Sequence, residues 1–202
     1  VCSYPKFTPI PFSENEIWNG FPDESNAPYG ISKKIMLVQS DAYLRQYGFN
    51  SISVIPTNLY GPEDDFNIET ANVIPGIILK ISNAVKTDAK EVVLWGDGSA
   101  TRDFLFVDDA ADGIILAAQK YDNVSPINLG AQKETSIKEL ATLIAEIMKF
   151  SGDITWDDTK ANGQPRRCVS NYKAEKEIGF KPKISLRDGL TKVISWFDSN
   201  YS

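Results

Sequence analysis

The segment Asn26-Ala27-Pro28-Tyr29-Gly30-Ile31-Ser32-Lys33 sets a tyrosine and a lysine four residues apart, just after a proline. Pro28 suits the first turn of a helix. On a helix, residues i and i+4 share one face. Ile31, Ile35, Val38 and Ala42 continue with helical apolar spacing, which predicts a helix over 29–47 with Gly48 as its C-cap. Tyr29 and Lys33 fall off that stripe, so core packing does not require them. An unperturbed tyrosine holds its proton until about pH 10. A lysine ammonium beside it stabilises the phenolate and makes the phenol a usable general acid or base. The spacing alone is weak, because Tyr172 and Lys176 repeat it in a charged run that reads as a solvated helix face.

Working outward, Pro5, Pro9, Pro11 and Pro22 punctuate a leading loop. Residues 51–55 read as a short strand, and 56–62 leave it as a loop. A helix is expected over 71–85. Residues 92–95 and 101–106 read as two strands of a hairpin across Gly96-Asp97-Gly98-Ser99, with Trp95 as hairpin core or ligand contact. Asp108 and Asp109 complement the macrodipole at the start of a helix over 108–120. A strand follows at 126–129. Ser136 with Glu139, and Ser185 with Asp188, signal capping boxes ahead of two amphipathic helices; Leu186, Leu190, Val193, Ile194 and Phe197 line the second. Alternating strands and helices indicate α/β architecture.

Composition narrows the function. The 202 residues are 42% hydrophobic, enough for a sizeable core. A net charge of −6 without a basic stripe argues against nucleic acid. No apolar run has the length of a membrane span. Cys2 and Cys168 do not make a disulfide framework, and a cytoplasmic location is expected. No histidine is present, which excludes Ser-His-Asp and Cys-His catalysis within the segment and removes the commonest zinc ligand; no metal site is expected. The chain opens on Val1 without an initiator Met or a visible signal peptide. It also lacks the glycine-rich turn that receives a dinucleotide pyrophosphate, so such a turn is expected upstream of Val1 if a dinucleotide is used.

Several motifs occur together and in order: Cys2-Ser3-Tyr4-Pro5-Lys6, Asn26-Ala27-Pro28-Tyr29…Lys33, Pro56-Thr57-Asn58-Leu59-Tyr60-Gly61-Pro62, Val73-Ile74-Pro75, Trp95-Gly96-Asp97-Gly98 and Arg102-Asp103-Phe104. Over essentially the whole chain they resemble the GDP-L-fucose synthase family, within the extended short-chain dehydrogenases/reductases. The resemblance implies the C-terminal part of a Rossmann-like doubly wound parallel sheet plus a smaller α/β substrate-binding domain. Residues 1–61 would end an NADP-binding domain whose first half, of about 100 residues, lies upstream. Residues 62–202 would be mostly substrate-binding, with about 108–130 returning to the first domain.

The implied reaction is NADPH-dependent 3,5-epimerisation and 4-keto reduction of GDP-4-keto-6-deoxy-D-mannose to GDP-L-fucose. Alternatives are a reductase-only or epimerase-only relative, or a silent nucleotide-sugar-binding scaffold. By the resemblance, Tyr29 donates the proton during hydride transfer. Lys33 supports it and holds the nicotinamide ribose, while Pro56, Thr57, Asn58 and Leu59 line the nicotinamide. Cys2 is the epimerisation base. Asn72 stands at the family's histidine acid, among the catalytic and cofactor positions, and an amide cannot deliver a proton at neutral pH. Lys80 replaces a substrate-binding arginine. Trp95, Arg102, Asn162 and Arg167, with Arg166 beside it, are the remaining GDP-sugar contacts. The helix over 29–47 is expected to support a homodimer.

Overall fold

The computed structural model describes residues 1–160 and 162–201. Along the chain a short 3-10 helix at Glu14–Trp18 precedes α1 (Ala27–Tyr47), β1 (Val54–Pro56), β2 (Asn58–Tyr60), α2 (Val73–Lys86), β3 (Glu91–Trp95), β4 (Thr101–Phe106) and α3 (Val107–Lys120). Then come β5 (Ile127–Leu129), β6 (Glu134–Ser136), α4 (Ile137–Ile147), β7 (Asp153–Asp157), β8 (Arg166–Arg167), α5 (Tyr172–Ile178) and α6 (Leu186–Tyr201). No described helix is long and apolar enough to cross a membrane.

The chain forms two compact units, and it passes between them within or beside β2, β4, β6, β8 and the start of α6. The first comprises Val1–Leu59, Asp103–Glu134 and Arg167–Lys183. Its β1 and β5 pair in parallel, with Val54 opposite Ile127 and Pro56 opposite Leu129. Ile127 and Leu129 are fully buried with Leu105, Ala117, Ile178 and Phe180. A second cluster joins Tyr4, Phe12, Ile17, Ile55 and Val169. The leading loop is therefore sewn into the unit although it carries little regular structure.

α1 ends at Gly48 with φ 66°, the left-handed C-cap that glycine adopts without steric cost. Its inward face, however, is Ala27, Gly30 and Lys34, spaced three and four residues apart. Lys34 donates to the Gly20 carbonyl at 3.2 Å and sits 5.3 Å from the Trp18 ring centroid. Burial pushes the Lys34 ammonium down from its usual range. The apolar stripe points elsewhere. Ile31 is half-buried, while Ile35, Val38 and Ala42 are exposed. Periodicity thus identified an apolar face of α1 that the first unit leaves open.

The second unit comprises Tyr60–Arg102, Thr135–Arg166 and Ile184–Ser202. α2, α4 and α6 close its core with Ile78, Ile81, Leu140, Ile144 and Leu190, all fully buried. Each such side chain contributes about 1.5–3 kcal/mol relative to exposure. Both expected caps form. Ser136 accepts from the Glu139 amide at 3.1 Å, and Ser185 accepts from the Asp188 amide at 3.2 Å.

The hairpin expected from 92–95 and 101–106 does not form. β3 pairs instead in parallel with β7, from Glu91 opposite Asp153 to Trp95 opposite Asp157. The Gly96 amide continues that ladder by donating to the Asp157 carbonyl at 2.9 Å. The linking turn is also claimed by the start of α4: the Ile137 and Lys138 amides donate to the carbonyls of Ala100 and Gly98. With its backbone acceptors used this way, the glycine-rich stretch is a connection and not a hairpin turn. Trp95, considered for hairpin core, is 69% exposed.

Candidate functional site

In the first unit a cavity of about 590 Å³ opens beside α1, lined by Cys2, Ser3, Tyr29, Lys33 and residues 52–59 among others. Pro28 falls within the first two positions of α1, so Tyr29 and Lys33 lie on its first turns. The Lys33 ammonium stands 5.4 Å from the Tyr29 ring centroid. The i, i+4 spacing therefore becomes an actual charge–ring contact, within cation–π range. Tyr29 is 57% exposed, so its hydroxyl is not spent on packing.

Another part of the lining comes from the consecutive strands β1 and β2 and from Thr57 between them. Thr57 is buried, and its amide donates to the Leu129 carbonyl at 2.9 Å, which extends the pairing of β1 with β5. The Thr57 hydroxyl and the Asn58 amide both donate to the main-chain carbonyl of Asp103, at 3.0 and 2.9 Å. Pro56 and Leu59 add apolar surface to this wall, beside Ile52, Val54 and Ile55.

Asp103 itself is fully buried, and sequence reasoning gave it no role. Burial pushes its carboxyl up to about 6. Amide hydrogen bonds from Ala131, Val169 and Gln132 oppose the shift, as does the Cys168 thiol, 3.9 Å away. A signal was available: one carboxylate in Thr101-Arg102-Asp103-Phe104-Leu105-Phe106, a strand that is otherwise apolar beyond its first two residues. A buried charge in a strand needs partners.

Cys2 is half-buried at the cavity edge. Arg167, expected as a diphosphate contact, brings Nη1 to 3.6 Å from the Cys2 Sγ. The close seat of Cys2 on α1 depends on Gly30. A Cβ there would lie 2.5 Å from the Cys2 carbonyl oxygen, closer than real Cβ atoms approach. Behind Cys2, the buried Tyr4 hydroxyl donates to Asn128 Oδ1 at 2.8 Å, and burial raises that phenol well above its usual range.

The other expected site residues lie in the second unit. Asn72 is the N-cap residue of α2 but makes no side-chain cap bond, and it is exposed. With Lys80, Trp95 and Ile68 it lines a cavity of about 240 Å³. Lys80 donates to the Val93 carbonyl at 2.9 Å and stands 5.4 Å from the Trp95 ring centroid, while Lys160 stands 5.9 Å from the same ring. Burial lowers the Lys80 ammonium from its usual range. A further cavity of about 210 Å³ shares Trp95 and adds Arg102 and Asn162. There Asn162 Oδ1 accepts from the Asp97 amide at 2.8 Å, and Arg102 Nη1 donates to the Thr101 carbonyl at 2.7 Å. An exposed indole flanked by cations offers a flat stacking surface with positive charge beside it, which suits an aromatic base carrying phosphate. Arg166, in the same unit, is exposed.

Residues 1–130 match the model of the NAD dependent epimerase/dehydratase family. The chain is 41% identical over 199 residues to a probable GDP-L-fucose synthase 1 of Oryza sativa, covering 98% of this chain and 60% of that protein. It is 39% identical to GDP-L-fucose synthase 1 of Arabidopsis thaliana, covering 98% of this chain and 61% of that protein. A crystal structure of a GDP-L-fucose synthetase from Naegleria fowleri bound to NADP superposes with a TM-score of 0.90 at 30% identity, covering 99% of this chain and 64% of that one. The fold is thus of the Rossmann type. The chain spans about 60% of the length of the curated relatives it matches.

Proposed function

The chain belongs to the NAD dependent epimerase/dehydratase family, and from that premise we propose that it serves an NADPH-dependent enzyme converting a GDP-linked 4-keto-6-deoxy sugar, by 3,5-epimerisation and 4-keto reduction, in the manner of GDP-L-fucose synthases. The observation that carries the proposal is the cavity that brings Tyr29 and Lys33 together with Cys2 and the Pro56–Leu59 wall. On this reading the first unit belongs to the cofactor domain and the second to the substrate domain.

The cavity fits a nicotinamide. Pro56, Leu59 and Val54 supply apolar surface for one ring face, Thr57 and Asn58 are held fixed through Asp103, and Lys33 can donate to ribose hydroxyls. NADPH, when bound, supplies the hydride. Tyr29 donates its proton to the oxygen that becomes the C4 hydroxyl. Lys33 beside it stabilises the phenolate left behind. Cys2, as thiolate, removes the proton from a carbon next to the ketone, and the electron pair moves onto the carbonyl oxygen as an enolate. Trp95, Lys80, Arg102 and Asn162 hold the nucleotide of the sugar, with cations set against its phosphates.

Asn72 favours a second reading, reduction without epimerisation, because its amide can hydrogen-bond but cannot return a proton. The exposed apolar face of α1, through Ile35, Val38 and Tyr43, supports pairing with a second copy.

NADPH oxidation by the whole protein with the GDP-linked keto sugar tests the proposal. Tyr29→Phe is expected to reduce turnover to less than a tenth, with the nucleotide sugar still bound. Turnover above that level would remove Tyr29 from the role. Incorporation of solvent deuterium at C3 and C5 in heavy water separates the two readings: the dual enzyme exchanges, the pure reductase does not.

A further inference from the structure

We propose that Arg167 is the positioning residue for Cys2: its guanidinium holds the sulfur and carries the counter-charge when the thiolate acts as base. The inference rests on the epimerase reading of Cys2, and it gives Arg167 a task other than binding the diphosphate of the substrate.

The contact is Arg167 Nη1 to Cys2 Sγ at 3.6 Å, within reach for a hydrogen bond to sulfur, and it joins residues 165 positions apart in sequence. Both partners are fixed by their surroundings. Arg167 ends β8, and the chain after it is pinned on both sides: the Phe12 amide donates to the Cys168 carbonyl at 2.8 Å, and the Ser170 amide donates to the Phe12 carbonyl at 2.9 Å. Cys2 is seated by its carbonyl against Gly30 and followed by the buried Ser3 and Tyr4. A half-buried guanidinium held against a sulfur in this way is not a solvated charge that happens to be near. Arginine cannot give up its proton, so it does not compete with Cys2 as a base. Its role is electrostatic. The hydrogen bond is to a charged acceptor when the sulfur is a thiolate, and such bonds are about twice as strong as neutral ones.

In the step itself the carbon–hydrogen bond next to the ketone breaks and a sulfur–hydrogen bond forms. The electron pair passes to the ketone oxygen as an enolate. The thiol proton is then lost to water, and water on the other face supplies the proton that completes inversion. Arg167 neither gives nor takes a proton at any point. Other charged groups face the pair. The Val1 amino group lies near both Cys2 and Arg167, Tyr29 and Lys33 line the same cavity from α1, and the Asp23 carboxylate feels the guanidinium. Removing Arg167 leaves all of them in place.

The experiment is alkylation of Cys2 by iodoacetamide in the whole protein between pH 5 and 9, with Cys2 and the buried Cys168 resolved by peptide mass spectrometry. Arg167→Met is expected to slow Cys2 alkylation at pH 7 about tenfold and to move its pH midpoint upward, with the circular dichroism spectrum unchanged. Where Arg167→Met fails to fold, Arg167→Gln, which keeps length and a donor but not the charge, is expected to do the same. An alkylation profile matching the parent protein in a folded variant would overturn the proposal. Deuterium exchange at C3 and C5 gives an independent arm. Exchange in the parent together with an Arg167-independent alkylation profile keeps the epimerase reading and sinks the pairing. An Arg167-dependent profile with no exchange keeps the pairing and sinks the epimerase reading.

Discussion

Asp103 and Gly30 show what single residues contribute here. The Asp103 carboxyl is fully buried and sits at about 6, above its ordinary value of 3.8. Between those values the folded state keeps a proton that the unfolded chain has lost. Stability from this group is therefore fully present below about pH 4 and is lost as pH rises through about 6. The difference amounts to about 3 kcal/mol. Urea unfolding from pH 4 to 7 is expected to show a parent-minus-variant stability that falls with pH when Asp103→Asn is the variant; a difference independent of pH would refute the assignment. Gly30→Ala forces a Cβ against the Cys2 carbonyl. A cost of about 1–3 kcal/mol is expected from such overpacking, read by thermal melting, and C3/C5 exchange should fall further than NADPH oxidation because Cys2 moves and Tyr29 does not. Tyr29 and Lys33 were legible in the sequence because their contact is local. The Arg167–Cys2 and Asp103–Thr57 contacts were not, since they join residues 165 and 46 positions apart.

The starts of α4 and α6 are legible in the sequence because their caps are written within four residues. Ser136→Ala and Ser185→Ala should each cost about 1 kcal/mol in urea denaturation, and a change under a few tenths would show that packing alone fixes those helix starts. The C-terminal element depends on tertiary contacts instead. The Phe66 ring packs at a tilt 4.9 Å from Phe197 and 5.6 Å from Tyr201, centroid to centroid. Phe66→Ala is expected to cost about 3–5 kcal/mol, measured the same way. The missing hairpin illustrates the opposite limit. Alternation correctly marked β3 and β4 as strands, but pairing is decided by which edge is available, and β7, nearly sixty residues on, takes the edge of β3. The stripe on α1 was visible as a period, yet nothing local says which face of a helix its own unit will cover.

Across the whole molecule, the α/β class and the family were legible because motif order survives even where element pairing does not. The two units are another matter: the chain leaves and re-enters the first unit twice. β1 has as its partner β5, from residues 127–129, so a fragment of residues 1–102 lacks the strand against which β1 forms. Such a fragment is expected to show little strand signal and no cooperative melt by circular dichroism; a folded fragment would show that the leading loop and α1 suffice.

The wall of the first cavity is tied to residue 103 by an oxygen of the main chain. Every amino acid brings that oxygen, so a scan of all side chains at this position would vary the carboxylate and never touch the tether. On its acceptor side the geometry beside Tyr29 is insulated from mutation, because it is inherited through the path of the backbone; it can be rewritten only from the donor side, at Thr57 or Asn58, or by a change that moves β4 itself.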